Sequence, residues 1–164
     1  GCEKAIGDLP SRESDLGSEK DVYESAVLTE FQKKMRGRQK YLYNHVATNH
    51  KDFVKETISK VPEGGNYKDL PPGEGESRKF NEAWTRYHGK KPSRTIDTGH
   101  RNHFHYRYNR VPTIRENARL QTFPDSFMFD GSKTAQNRLV GNAVPPMLGE
   151  VLAHKIKEYI DLDI

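Results

Sequence analysis

The end of the chain holds the pattern that most restricts how the chain can fold. Pro145-Pro146 suits the first turn of a helix, and apolar side chains then recur at the i, i+3, i+4 spacing of one helical face. They are Leu148, Val151, Leu152, Ile156, Tyr159 and Ile160. Only 33% of the 164 residues are hydrophobic, so we expect a thin core. Either much of the chain is irregular, or another domain or chain completes its apolar faces.

Three further helices are predicted from start signals and periodicity. Ser18 and Asp21 resemble a helix start, followed by apolar residues at helical spacing as far as Gly37. A second helix is expected over residues 49–60, before Pro62. A capping box, Thr113-Ile-Arg-Glu116, predicts a third helix that runs to Phe123.

The remaining segments have little periodicity. Residues 1–17 are rich in Gly, Pro, Ser and acidic side chains and are interpreted as a connector, while residues 62–77 are interpreted as a loop. Between residues 94 and 111, two β-favouring pieces separated by Thr98-Gly99 predict a hairpin or small sheet.

Positive charge is concentrated between residues 86 and 119, where nine basic side chains accompany two acidic ones. Tyr87, Phe104, Tyr106 and Tyr108 are interleaved with them. This mixture of cations and stackable rings is typical of a surface that binds a polyanion. A solvated basic face on an ordinary domain is the alternative.

The single cysteine, Cys2, excludes an internal disulfide and indicates a reducing compartment. It has no basic neighbour in sequence that would lower its pKa, so we interpret it as inert. No apolar run approaches the ~18 residues that a membrane helix needs, and no membrane association is expected.

A cluster of histidines, His100, His103 and His105, admits a metal-dependent nuclease as a further hypothesis. Asp97 is the only carboxylate nearby, between residues 86 and 115, and no cysteine completes a zinc set. DNA-facing or merely exposed histidines are the alternative.

Two longer strings are far more specific. RENARLQTFPDSF at 115–127 and NRLVGNAVPPMLGEVLAHKI at 137–156 together resemble the ninth and tenth sequence blocks of the DNA cytosine-5 methyltransferases. AIGDLP at 5–10 is similar to the segment after the eighth block, and KPSRTI at 91–96 resembles an element of the target-recognition region. Asn44-His45 and PEGGNYKDLP at 62–71 are also similar to that region. The approach to the ninth block is similar as well, through His105 and Arg110.

The resemblance implies an α+β chain. It consists of a connector after the catalytic domain (1–17), a small target-recognition domain with short strands and helices (18–112) and the ninth and tenth blocks (113–164). The C-terminal helix is expected to pack on a nucleotide-binding α/β domain that this sequence lacks. The glycine-rich cofactor loop and the Pro-Cys-Gln nucleophile block of the family are absent from it.

By this resemblance, the chain is the C-terminal fragment or small subunit of such an enzyme, DNA-associated in a bacterial or phage-infected cytoplasm and inactive alone. Its partners would be double-stranded DNA and the N-terminal catalytic portion or large subunit. Asn142, Ala143 and Val144 would contact the methionine end of S-adenosylmethionine in the complete enzyme. Gly141 is expected to allow a tight approach there, and the first amides of the following helix to face the ligand. The expected DNA contacts are Arg94, Thr95, Arg101, His103, Arg107 and Arg110. The alternative is a stand-alone sequence-specific DNA-binding module without catalysis.

Overall fold

The structure, a computed structural model, describes residues 1–74, 83–99 and 102–162. These residues form a mixed α and β fold with short elements. In chain order they are α1 (Cys2–Ile6), β1 (Lys20–Val22), α2 (Glu30–Arg36), β2 (Tyr41–Tyr43), α3 (Asp52–Lys60), a 3₁₀ turn (Tyr67–Asp69), β3 (Thr85–Arg86), β4 (His103–Phe104), α4 (Ile114–Leu120), α5 (Lys133–Asn142) and α6 (Pro146–Leu162).

The beginning of the chain is more ordered than its composition indicates. α1 buries Cys2 and Ile6 in the main core, whereas an irregular connector was expected. The amide of Cys2 donates to the Lys91 carbonyl at 3.0 Å, and the amide of Glu3 donates to the Gly89 carbonyl at 2.9 Å. α1 therefore anchors the segment that leads to residue 94.

The helix predicted from residue 18 to residue 37 is wrong in its first half. Residues 20–22 form β1, which pairs antiparallel with β2. The carboxylate of Asp21 accepts from the Val22 amide at 2.8 Å and from Arg12 at 2.6 Å, so it serves a tertiary contact instead of a helix start. The helix α2 begins only after Thr29, whose hydroxyl accepts from the Gln32 amide.

The hairpin predicted between residues 94 and 111 is wrong, although Phe104 does lie in a small sheet. β4 pairs in parallel with β3, so that Thr85 lies opposite His103, and Thr95-Ile96 belongs to no strand. A two-residue parallel bridge leaves no periodicity in the sequence from which it could be read.

Three helix predictions are confirmed, among them the C-terminal helix α6, which begins at Pro146. α3 lies within the range expected for it, and α4 begins with the capping box, in which Thr113 accepts from the Glu116 amide and Glu116 accepts from the Thr113 amide. α4 ends at Leu120, three residues earlier than expected. α5, which precedes the C-terminal helix, was not expected.

The main core joins α1, α4 and α5 to the chain around residues 87–106. Ile6, Ala118 and Val140 are each at most 1% exposed, and Ile96 and Tyr106 pack with them. A smaller cluster formed by Ile58, Val61, Leu70, Phe104 and Val111 lies beside α3. None of the helices in the described ranges is long and apolar enough to cross a membrane.

α4 is buried together with its charges. The guanidinium of Arg119 donates to both carboxylate oxygens of Asp125, at 2.9 and 2.6 Å, and pairs with Asp8 of the chain after α1. Arg115 donates to the backbone carbonyls of Tyr43 and Phe127 at 2.9 and 2.6 Å. Because a buried charge needs a partner, these arginines fix the chain on either side of α4.

Candidate functional site

The segment from Lys91 to Thr98 presents two of the predicted DNA contacts to solvent. Arg94 and Thr95 are exposed, while Ile96, the next residue, is buried in the main core. Lys91 is held by α1 at the other end. The segment is therefore fixed at both ends, with its basic and hydroxyl side chains outward.

The other predicted DNA contacts lie in different surroundings. Arg107 is half exposed, and its guanidinium pairs with Glu3 at 2.9 Å. His103 is only 9% exposed and stacks on the Tyr87 ring, with the ring centroids 5.3 Å apart. Arg101 lies outside the described residues. Of the two that the structure describes, Arg107 has the surroundings that better fit contact with a large ligand.

Arg110 does not fit the DNA-contacting role predicted for it. It is 4% exposed, and it donates two hydrogen bonds to the Glu116 carboxylate, at 2.8 and 2.7 Å. Its Nε and Nη1 atoms also donate to the carbonyls of Ser11 and Val111. The count of basic residues in this stretch overstated the charge on its surface, because Arg110, Arg115 and Arg119 all point inward.

Two buried histidines adjoin the Arg110–Glu116 pair. His45 contacts the Pro10 carbonyl through Nε2 at 2.9 Å and the Thr113 hydroxyl through Nδ1 at 2.8 Å. Nδ1 of His105 accepts from the amides of Arg107 and Tyr108 at 3.0 and 3.1 Å. The histidine rings thus join the residue 105–110 turn and the chain near Pro10 to the start of α4.

Burial keeps both histidines neutral. It lowers the pKa of His45 to about 4 and that of His105 to about 3, although the Glu116 charge opposes both shifts. For Glu116 itself, burial would raise the pKa, but the Arg110 charge outweighs it and holds that pKa well below its usual range. Neutral histidines that form part of the interior explain His45 and His105 without a catalytic role.

The predicted cofactor residues lie at the junction of α5 and α6. Asn142 and Val144 are exposed, and Ala143 between them packs partly on the main core. Only three residues, 143–145, separate the two helices. The junction therefore projects two side chains outward from a firmly held backbone.

Gly141, in the last turn of α5, brings this junction against the segment that carries Arg94 and Thr95. A Cβ atom at Gly141 would lie 2.4 Å from the Asp97 carbonyl oxygen and 2.6 Å from the Thr98 amide nitrogen. Real Cβ atoms do not come so close to backbone, so only glycine permits this approach. A tight approach at Gly141 was expected, and its partner within the chain is the backbone of 97–98.

The amides that begin α6 are engaged within the chain, contrary to expectation. The Met147 amide donates to the Thr122 hydroxyl at 3.1 Å, and the Leu148 amide donates to the Pro145 carbonyl at 2.9 Å. Pro146, at the first position of the helix, has no amide hydrogen. The first turn of α6 therefore offers no free donor to a ligand.

The apolar stripe of α6 lies in solvent. Leu148, Val151, Ile156 and Tyr159 are 50%, 64%, 59% and 66% exposed. Monomeric proteins seldom expose so many aligned apolar side chains. The stripe therefore has the character of an interface.

The described part of the chain thus exposes basic and hydroxyl side chains at 94–95, two side chains of the α5–α6 junction and the apolar stripe of α6. The chain matches the model of the C-5 cytosine-specific DNA methylase family over residues 3–158. The chain belongs to this family.

Relatives support the assignment. The chain is 42% identical over 130 residues to the type II methyltransferase M1.HphI of Haemophilus parahaemolyticus, which covers 77% of this chain and 34% of that protein. It is 32% identical over 178 residues to the type II methyltransferase M.DdeI of Desulfomicrobium norvegicum, which covers 97% of this chain and 43% of the relative. The chain thus spans well under half the length of these relatives.

A solved structure supports the fold. A putative DNA modification methyltransferase encoded within an E. coli prophage superposes with a TM-score of 0.66 at 23% identity, over 88% of this chain and 42% of that one. At 23% sequence identity, this structural similarity shows the fold alone.

Proposed function

We propose that this chain provides DNA target recognition and closes part of the S-adenosylmethionine pocket of a DNA (cytosine-5)-methyltransferase. The observation that carries the proposal is the contact of Gly141 with the backbone of Asp97 and Thr98. It places an exposed basic segment directly beside the α5–α6 junction. A methyltransferase has to bring DNA and cofactor together, and this contact joins a candidate segment for each.

On the DNA side, Arg94, Thr95 and Arg107 are the described candidates. Arg94 supplies a solvent-exposed cation for a phosphate. Thr95 supplies a hydroxyl whose direction is restricted by the β-branched side chain. Arg107 has the planar guanidinium suited to a guanine edge, and it would exchange its contact with Glu3 for DNA.

On the cofactor side, Asn142 and Val144 have the exposure that contact with a ligand requires. The Asn142 amide can donate and accept hydrogen bonds, and the Val144 side chain offers apolar contact. S-adenosylmethionine, when bound, supplies the methyl group that is transferred. This chain contributes one wall of its pocket.

The chemical step requires groups from elsewhere in the enzyme. Attack on cytosine C6 needs an accessible thiolate, but Cys2 is fully buried and burial raises the pKa of its thiol to about 11. We therefore infer a catalytic portion that supplies the nucleophile and packs against the apolar stripe of α6. We expect no methyl transfer from this chain alone.

The test combines this chain with the catalytic portion and measures transfer of labelled methyl groups from S-adenosylmethionine to duplex DNA. We expect activity only in the mixture. Arg94→Glu should weaken DNA binding in a salt-dependent manner, whereas Lys33→Glu makes the same charge change on an exposed face of α2 and should have little effect.

Two results would contradict the proposal. One is methyl transfer by the chain alone. The other is sequence-specific DNA binding by the chain with no activity in any mixture, which would favour a stand-alone DNA-binding module.

A further inference from the structure

Thr122 occupies a backbone position where threonine is unfavourable. The amide of Phe123 donates to the Ala118 carbonyl, and the amide of Thr122 donates to the Arg119 carbonyl, both at 2.9 Å. These two bonds are the pair that ends a helix in a Schellman motif, in which the residue at the position of Thr122 is usually glycine. Thr122 has φ +65°, and a β-branched side chain is disfavoured in this left-handed region. A reason for the threonine therefore has to lie outside α4.

That reason is the start of α6. The Pro145 carbonyl accepts the first helical hydrogen bond, from the Gly149 amide at 3.1 Å, so Pro145 stands at the cap position. A cap residue normally offers a side-chain oxygen to the second or third helical amide, and proline has none. The Thr122 hydroxyl accepts from the Met147 amide at 3.1 Å and thus caps α6 from another part of the chain.

The neighbouring side chain holds the other helix of the junction. The Gln121 side-chain amide donates to the Val140 carbonyl in the last turn of α5 at 3.0 Å. The Ala143 amide donates to the same carbonyl at 3.3 Å. Gln121 therefore binds the end of α5 and Thr122 binds the beginning of α6, on either side of residues 143–145.

We propose that Gln121 and Thr122 are positioning residues for the cofactor segment 142–144, which they fix by bridging α5 and α6. This inference rests on the proposed contact of that segment with S-adenosylmethionine. The hydroxyl of Thr122 acts through the direction of α6 and touches no cofactor atom. Glycine at position 122 would relieve the backbone strain, but it has no hydroxyl and could not cap α6.

The experiment uses the complete methyltransferase that contains this chain and compares Thr122→Gly, Thr122→Ser and Gln121→Met. Thr122→Gly relieves the backbone strain and removes the cap, so its melting temperature should be unchanged or higher. Its KM for S-adenosylmethionine should nevertheless rise about fivefold, the scale of one lost hydrogen bond. The kcat at saturating cofactor and the KM for DNA should stay constant.

Rescue and matched controls complete the design. Thr122→Ser keeps the hydroxyl and should restore the KM for S-adenosylmethionine, while Gln121→Met should raise it. Thr29→Ala removes the hydroxyl cap of a different helix, α2, and should lower the melting temperature without changing that KM. Val144→Ala tests the cofactor segment directly and should raise the KM.

The outcomes separate the inference from the proposed function. If Val144→Ala raises the KM for S-adenosylmethionine but Thr122→Gly leaves it unchanged, the positioning role is refuted and the cofactor segment stands. If Asn142→Ala, Val144→Ala and Thr122→Gly all leave it unchanged, the cofactor role of the segment fails and the positioning role fails with it. A loss of melting temperature in Thr122→Gly, in proportion to the KM change, would make Thr122 a stability residue only.

Discussion

Acidification from pH 8 to pH 5.5 should destabilise this chain, because it buries His45 and His105 as neutral side chains. Both have a folded-state pKa well below the ordinary value of 6.5, about 4 and about 3. Between these pKa values and 6.5, the histidines of the unfolded chain bind protons while those of the folded chain do not. The free energy of unfolding therefore falls as the pH drops below 6.5 towards the folded-state pKa values.

The magnitude follows from proton linkage. At pH 5.5 an unfolded histidine is about nine-tenths protonated and the folded ones are almost entirely neutral, so each contributes a loss of about 1.4 kcal/mol relative to pH 8. The two together give about 3 kcal/mol, a large part of a typical folding free energy of about 5–15 kcal/mol. Glu116 adds nothing in this window, because a carboxylate with a lowered pKa loses its contribution only below its unfolded value, 4.5.

The assay is urea unfolding of the chain, followed by circular dichroism at a series of pH values between 5.5 and 8. His45→Gln should reduce the pH dependence of the free energy of unfolding by about half, whatever it does to stability at pH 8. The reason is that the slope of this free energy against pH depends on the number of protons taken up on unfolding. A free energy of unfolding that is the same at pH 5.5 and pH 8 would refute the buried neutral state of both histidines.

Three further outcomes are expected. Glu116→Ala leaves the buried Arg110 cation unpaired and should lower the free energy of unfolding by about 3–5 kcal/mol in urea titrations, and a loss below about 1 kcal/mol would contradict the buried pair. In the complete enzyme, Thr95→Val should weaken duplex binding by about 1 kcal/mol at cognate and near-cognate sites alike, since a phosphate contact carries no base information. Arg107→Ala should instead weaken binding by about 1–3 kcal/mol at the cognate site. The reverse pattern in binding titrations would exchange the roles of these two residues. Cys2 should resist a thiol reagent at pH 8 until denaturant is added, because its thiol is fully buried with a raised pKa, and rapid reaction of the folded chain would show that α1 opens readily.

The features that the sequence predicted correctly have local causes. The capping box at Thr113 involves groups three residues apart, and the apolar spacing of α6 is independent of what the helix packs against. The family assignment likewise depended on contiguous strings around α4 and α6.

The features that were missed depend on distant partners. Asp21 resembles a helix start, but its carboxylate binds Arg12. Arg110 was counted among the surface cations because its partner, Glu116, belongs to the next helix and pairs with it only once the intervening turn has folded. Thr122 belongs to the string RLQTFP. Its position directly after a helix, where glycine is usual, was the sequence signal that could have drawn attention to it.

The close approach at Gly141 has a consequence for engineering. Because its Cα leaves no room for a side chain beside the 97–98 backbone, the segment 91–98 and the α5–α6 junction have to be exchanged as a matched pair. A graft that replaces residues 91–98 with the corresponding loop of a relative would keep its geometry only if the new backbone passes Gly141 at the same distance. Variants with an exchanged 91–98 segment should therefore be screened first for the distance between the new backbone and Gly141, before any exposed side chain is chosen.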